Sequence, residues 1–347
     1  MPTLRSRRNH AGAAPTVSKT TEAIGAVPFA TRLRRARYGR TIRDYARRAG
    51  LPDLLAWPAA KAVKLGLYPG EYVARRRAAA AYLQANKVPV SLPEATGYRM
   101  LGLNEFAQMP ALLSACRKVF EQERPKYDLS DPKNQFRNSL LKSEHLGQFP
   151  VFLRFAMAPE VLAPAVEYMG VMPTLASLQL WWTPLNSTTV GSQLYHRDNV
   201  DFRLVKYFVN VNDVEDASGP LTFLPADVSA RVTTAIKGER RSIQDEEMFR
   251  YCSPTDQVAL VGGPGSGGIV DSCRCYHYGG RARGAERLLL MIQYLSYHCI
   301  GESSDGRWFR MAKGAPVPSG VDRDVAAMLL KLPPSPVGEG LEAEREY

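Results

Sequence analysis

The chain has 347 residues, 45% hydrophobic and 23% charged, which is ordinary globular material long enough for one large domain or two smaller ones. No run approaches the ~18 apolar residues of a membrane span, so none is expected. The net charge of +11 reads as a nucleic-acid signature until it is located: residues 1–50 carry twelve Lys and Arg against Glu22 and Asp44, a net +10, which leaves the body near +1.

Residues 1–28 are small, polar and basic without periodicity, the composition of a disordered arm. Arg5-Ser6-Arg7-Arg8 is not followed by the apolar stretch of a secretory signal, so export is not expected, although an Arg-rich, acid-poor start also fits a mitochondrial-type presequence. Residues 29–94 predict a helical extension, with short helices broken at Gly50 and Pro58 and an Ala-rich helix ending before Pro89. Phe29, Leu33, Ala36, Tyr38 and Ile42 make an imperfect apolar stripe among arginines. Such a helix either packs on the body with one face solvated or lies on an anionic membrane surface or a phosphate. Asn104 is placed to cap the helix that follows, with Pro110 in its early turns. Residues 125–150 are polar and irregular, and a helix over 158–170 stops at Gly170.

Strands begin at ASLQLWWTP, 176–184. Of the adjacent Trp181 and Trp182, one must face away from the other, and both read as core. LVKYFVNVNDV, 204–214, alternates, so Leu204, Lys206, Phe208 and Asn210 share one face, with Lys206 and Asn210 as candidate pocket residues. Gly219-Pro220 marks a turn into LTFLP, and residues 226–256 are charged and less β-like, an insertion or lid. GGPGSGG, 262–268, lacks the Lys-Ser or Lys-Thr of a phosphate loop and reads as a turn. The tail from 313 is Pro-rich with one short helix and an acidic end, and no repeats are visible. The pattern is α+β. Five cysteines, odd in number and unclustered, make no disulfide framework and read as reduced thiols of a cytoplasmic protein.

The chemistry concentrates at Tyr195-His196-Arg197-Asp198. In extended chain, side chains two apart share a face, so His196 and Asp198 converge. One His and one carboxylate are two thirds of the facial triad that holds non-haem Fe(II) and leaves positions open. Only His10, His145, His277 and His298 remain to supply the third, and His277 sits between an apolar run and a β-rich one. Ten residues on, Arg287 heads RLLLMIQYL, where a planar guanidinium fork can grip a carboxylate bidentately. Arg281 and Arg283 in the preceding loop compete for that role. Cys273, Cys275 and His277 alternate, so a zinc site using them is a rival, with Asp271 or Cys299 as fourth ligand. His-x-Asp, then His, then Arg is the order needed by an oxygenase that binds iron together with a dicarboxylate such as 2-oxoglutarate.

In this order YHRD, LVKYFVNVNDV, SGPLTFLP, DSCRCYHYGGR and RLLLMIQY resemble the phytanoyl-CoA dioxygenase family of Fe(II)/2-oxoglutarate-dependent oxygenases, over roughly residues 95–300. The family often reads Pro-Gly-Ser-His after the Gly-Pro turn, where this chain has Pro225-Ala226-Asp227-Val228. The resemblance implies a double-stranded β-helix, the jelly-roll or cupin-like core, over residues 95–312, with a tail over 313–347. It implies Fe(II) on His196, Asp198 and His277, and 2-oxoglutarate on Arg287. The implied reaction takes O2, with ascorbate as an accessory reductant. It hydroxylates an unactivated C–H of a small-molecule or lipid-like substrate and releases succinate and CO2. The alternative is an inactive oxygenase-fold binding protein that uses its basic arm on membrane or nucleic acid. The presence of all four site residues argues against it, since a decayed site is expected to lack at least one.

Deleting residues 1–28 is expected to leave the melting temperature and iron binding unchanged, because that composition contributes little buried surface. A large drop in melting temperature would show the arm to be part of the core.

Overall fold

The structure, a computed structural model, describes residues 53–88, 91–103, 105–236, 242–300 and 316–331. The basic arm, the stripe over 29–42, Gly50 and the Asn104 cap lie outside the described residues.

Two helices open the described chain, α1 (Asp53–Leu67) and α2 (Pro69–Ala85). Pro58 does not break α1, contrary to the sequence expectation. Proline forfeits a helical hydrogen bond, at roughly 3 kcal/mol in a helix interior. Tertiary contacts outweigh that loss here. Trp57 and Ala60 bury against Ile300, Lys61 grips Asp201 at 2.6 Å, and Lys64 donates to the Cys299 carbonyl at 2.6 Å.

After β1 (Tyr98–Leu101) comes α3 (Met109–Glu123), which accepts Pro110 in its first turn, where no amide donor is required. The segment read as irregular holds β2 (Asn138–Ser139) and α4 (Ser143–Gln148), so strands begin earlier than the alternating pattern announced. Then come α5 (Val151–Ala156) and α6 (Pro159–Met169), which stops at Gly170 in the left-handed conformation (φ 65°), as expected.

The strands β3 (Thr174–Thr183), β4 (Val205–Asn210), β7 (Gly267–Val270) and β9 (Arg287–Leu295) join β1 and β2 in a six-stranded antiparallel sheet, ordered β1-β7-β4-β9-β3-β2. A second sheet is β6-β5-β8, from β5 (Thr222–Phe223), β6 (Val258–Ala259) and β8 (His277–Tyr278). Between β5 and β6 the expected insertion folds as α7 (Ala226–Ala235) and α8 (Asp245–Met248). In the tail, α9 (Arg323–Leu330) is the one short helix expected there.

Alternation on the large sheet decides its two faces. Leu178, Leu180, Trp182, Val205, Tyr207, Val209, Leu288, Leu290 and Ile292 join one core with the helices. Phe208 and Leu289 point the other way and pack with Phe223, Leu260 and Cys275 beneath the small sheet. The molecule is thus layered as helices, large sheet and small sheet. Of the tryptophan pair, Trp182 is core, while Trp181 packs only partly buried on the opposite face. The turn into β5 rests on Gly219 (φ 65°), where an added Cβ would lie 2.4 Å from the Arg281 carbonyl carbon. None of the five cysteines is in a disulfide. Among the described residues, no helix is long and apolar enough to cross a membrane.

Arg75 ties the helical layer together. It is fully buried, donates to the carbonyls of Met172 (3.0 Å), Pro173 (2.9 Å) and Met328 (2.7 Å), and pairs with Glu71 at 2.7 Å. Arg75→Met leaves three carbonyls without this donor and Glu71 with Lys331 alone, so a loss of about 3–5 kcal/mol is expected. It should appear as a lower denaturant midpoint at unchanged slope. A loss below about 1 kcal/mol on that scale would show the contacts to be redundant.

Candidate metal centre

The centre is built on one antiparallel bridge. The His196 N–H donates to the His277 carbonyl at 3.0 Å and the His277 N–H returns the bond at 2.9 Å. Residues paired in this way project side chains to the same side, and the two imidazole centroids lie 4.2 Å apart. Asp198, two residues on in extended chain, is held by its N–H to the Ser272 carbonyl at 2.9 Å. The three side chains expected to meet therefore do meet. One ligand atom from each of His196, Asp198 and His277 lies within 4.8 Å of the others, and His277 Nε2 is 3.9 Å from Asp198 Oδ2.

Backbone carbonyls orient both rings. His196 Nδ1 lies 2.8 Å from the Leu194 carbonyl, and His277 Nδ1 lies 3.0 Å from that of Cys275. A carbonyl only accepts, so each Nδ1 carries the hydrogen and each Nε2 keeps its lone pair for the centre. Burial keeps both rings neutral, pushing His277 down to about 3, with the neighbouring His196 adding to the effect. Burial also lowers His196, against the pull of Asp198. For Asp198, burial raises the carboxyl pKa, but Lys206, His277 and His196 together outweigh it and hold the group below the usual carboxylate range. Lys206 Nζ sits 2.6 Å from Asp198 Oδ2, and the Ser272 hydroxyl donates to the same oxygen. Two neutral imidazoles and one ionised carboxylate are the protonation states in which these groups bind a cation.

Ser272 is positioned by its neighbour Asp271, whose carboxylate accepts from the Tyr168 hydroxyl at 2.8 Å and the amides of Cys273 (3.1 Å) and Leu204 (3.3 Å). Burial pushes Asp271 up to about 6, against those hydrogen bonds.

Arg287 opens β9 and is 4% exposed, with its Nε and Nη1 buried and without a hydrogen-bond partner. Its guanidinium packs against Gly279, two residues past His277, where an added Cβ would come 3.4 Å from Nη1. Burial, with Arg137 adding to it, lowers its pKa to about 10. The competing arginines are committed elsewhere. Arg281 makes a two-pronged pair with Asp245 (2.6 and 2.7 Å) and lies over Tyr278, while the exposed Arg283 donates to the Asn186 and Thr188 carbonyls.

Other expectations resolve differently. Lys206 does reach the centre, but Asn210 is turned to the Leu260 carbonyl (3.1 Å) and the Ser266 hydroxyl (3.2 Å) and lines no site. Cys273 and Cys275 lie in the turn before β8 rather than on its strand, so alternation does not align them with His277, and no cation-holding group among the described residues includes a cysteine. The zinc reading fails on that geometry. Glu123, Glu144 and His145 also cluster, but Glu123 is already held by Lys126 at 2.6 Å and by Lys142. A cleft of about 330 Å³ beside Trp182, Asp213 and Glu286 opens on the helical side of the large sheet, away from the triad. The sequence reading passed over Ser272, which carried no motif, and Arg137, which lies in the polar stretch before β3.

No family model matches the chain, and no curated protein does. Solved structures with a similar fold include EctD from S. alaskensis with bound Fe, at 17% identity over 68% of this chain and 88% of that one, TM-score 0.48. SnoK, a non-heme alpha ketoglutarate dependent carbocyclase from nogalamycin biosynthesis, is 14% identical over 59% of this chain and 82% of its own, TM-score 0.43. HygX from Streptomyces hygroscopicus, with nickel and 2-oxoglutarate bound, is 15% identical over 58% and 84%, TM-score 0.41.

Proposed function

We propose that this chain is an Fe(II)- and 2-oxoglutarate-dependent oxygenase of the phytanoyl-CoA dioxygenase-like kind, its two sheets forming the jelly roll. Its proposed reaction is hydroxylation of an unactivated C–H on a small-molecule or lipid-like substrate. The observation that carries this reading is the meeting of two outward-facing imidazole Nε2 atoms and an ionised carboxylate beside a buried guanidinium with two unpaired donors. A cation answers the first group and a carboxylate answers the second. Neither is supplied by the residues around them.

In this reading His196, Asp198 and His277 hold the iron, and two imidazoles with one carboxylate suit a first-row divalent metal that keeps open positions. Bound there, iron would couple the oxidation of 2-oxoglutarate to succinate and CO2 with insertion of one oxygen atom from O2 into the substrate C–H bond. The chain's own residues do the rest. Lys206 and Ser272 hold one oxygen of Asp198, which fixes the carboxylate's orientation. Arg287 takes the far carboxylate of the cosubstrate, and as the first residue of a buried strand it presents a rigidly placed fork. Phe208, Leu289 and Met291 give the inner face of the large sheet an apolar floor, which limits water.

Asp198→Ala is expected to lose most of the iron, read as metal content of purified protein. Wild-type content in that variant would sink the ligand assignment. Arg287→Lys keeps the charge and loses the two-pronged contact, a change of ~1.5–3 kcal/mol. The corresponding fall in 2-oxoglutarate affinity is roughly tenfold to a hundredfold, read by titrating the absorbance of the iron–2-oxoglutarate complex, with iron content unchanged. An unaltered dissociation constant, alongside a weakened one for Arg283→Lys, would move the anchor to the loop. Succinate release during a screen of candidate metabolites tests turnover itself.

A further inference from the structure

The charged side chain near the triad that the proposed reaction leaves unused is Arg137. It stands one residue before β2, which pairs Asn138 with Trp182 and Ser139 with Trp181, while β3 pairs Thr183 with Arg287. Carried one step outward, that register sets Arg137 opposite Thr183. Arg137, Thr183 and Arg287 then form one row across three neighbouring strands. With strands about 4.8 Å apart, the two arginine backbones lie roughly 10 Å from each other, within reach of side chains as long as arginine. Ser139 donates to Gln179 at 2.5 Å, which puts the odd-numbered residues of this segment on the inner face with Trp181 and Arg287.

The guanidinium of Arg137 lies over the Trp181 ring at 4.3 Å and near Phe136 at 5.8 Å. A stacked ring occupies one face of the guanidinium and leaves its N–H edges free. No ion pair holds Arg137 among the described residues; the residue reaches solvent, yet burial around its guanidinium lowers its pKa against the pull of Asp198. The carboxylate that acts on it is Asp198, which Lys206 already grips at 2.6 Å. The row shared with Arg287 and the contact with the Trp181 ring place the Arg137 guanidinium on the inner face of the large sheet. Once the far carboxylate of the cosubstrate sits on Arg287, the row still holds one uncompensated positive charge. That charge stands beside an aromatic plane, over an apolar floor.

We infer that Arg137 recognises an anionic group, a carboxylate or a phosphate, on the primary substrate, whose flat or apolar part lies along Trp181. The inference rests on the oxygenase reading and deepens it by naming the substrate class.

The test uses the full chain loaded with Fe(II) without oxygen and saturated with 2-oxoglutarate. Benzoate, phenyl phosphate and the neutral benzamide are titrated in by calorimetry. One of the two anions is expected to bind at least about tenfold tighter than benzamide, a difference of about 1.4 kcal/mol, and which one wins identifies the group. That preference should vanish in Arg137→Gln and return in part in Arg137→Lys, while 2-oxoglutarate affinity stays within about twofold. Equal binding of all three probes, no binding of either anion, or an Arg137→Gln variant that binds the anion as wild type does would overturn the inference. A tenfold loss of 2-oxoglutarate affinity in Arg137→Gln would overturn it differently, by assigning Arg137 to the cosubstrate. Failure of the underlying reading has its own mark: the wild type shows no iron–2-oxoglutarate absorbance at all, and this inference falls with it.

Discussion

Two backbone hydrogen bonds between His196 and His277 are what the rest of the site depends on. They join segments far apart in sequence and set both imidazoles on one side of the pairing. A slip of one residue would turn the His277 ring to the opposite face, because side chains alternate along a strand. The register is secured from three directions. Tyr195 pairs with Ile243 on one side, Asp198 is tied to Ser272, and His277 is paired across β5 with Phe223. Gly219 belongs to the same constraint, since the turn that delivers β5 passes too close to Arg281 for any side chain.

Burial then sets the chemistry of what the register assembles. Desolvation keeps the imidazoles neutral, while Lys206 and the Ser272 hydroxyl keep Asp198 ionised despite it. Opposite responses to one environment follow from where the partners stand: a cation touches the carboxylate and none touches the rings. On the large sheet, at the head of β9, the balance is different. Arg287 is buried with donors unsatisfied, and the charge of another arginine, Arg137, disfavours its own. An unpaired buried polar group costs about 1–3 kcal/mol, more when charged, a cost that a bound carboxylate would offset.

The layered fold places these groups apart from its helical core. The helical core occupies one face of the large sheet, and the site uses the other, so residues such as Leu290 and Arg287 share a strand and serve separate purposes. Lys61, Lys64 and Arg75 fasten the first two helices to the body through long-range polar contacts. None of those contacts touches the triad.

What was legible in the sequence was whatever depends on neighbours in the chain. His196 and Asp198 share a face because extended chain repeats every two residues. Gly170 ends its helix because glycine accepts the left-handed conformation, and Arg287 stands at the head of an apolar run that reads as a strand. Residue type and order were enough to nominate His277 as the partner of a His-x-Asp pair. Tertiary structure decided the rest. Pro58 stays inside a helix because Trp57, Lys61 and Lys64 find partners 140 residues or more away in the chain. Asn210 alternates correctly with Lys206 yet turns to Leu260 and Ser266, since a buried amide goes where its hydrogen bonds are. Arg281 and Arg283 competed with Arg287 from a Gly-rich loop while Arg287 headed a strand, and only the structure shows the first two bonded to Asp245 and to the Asn186 and Thr188 carbonyls. Arg137 belonged to no pattern, because its place beside Arg287 is set by the register of three strands, and register is a property of pairing between distant segments that no local period records.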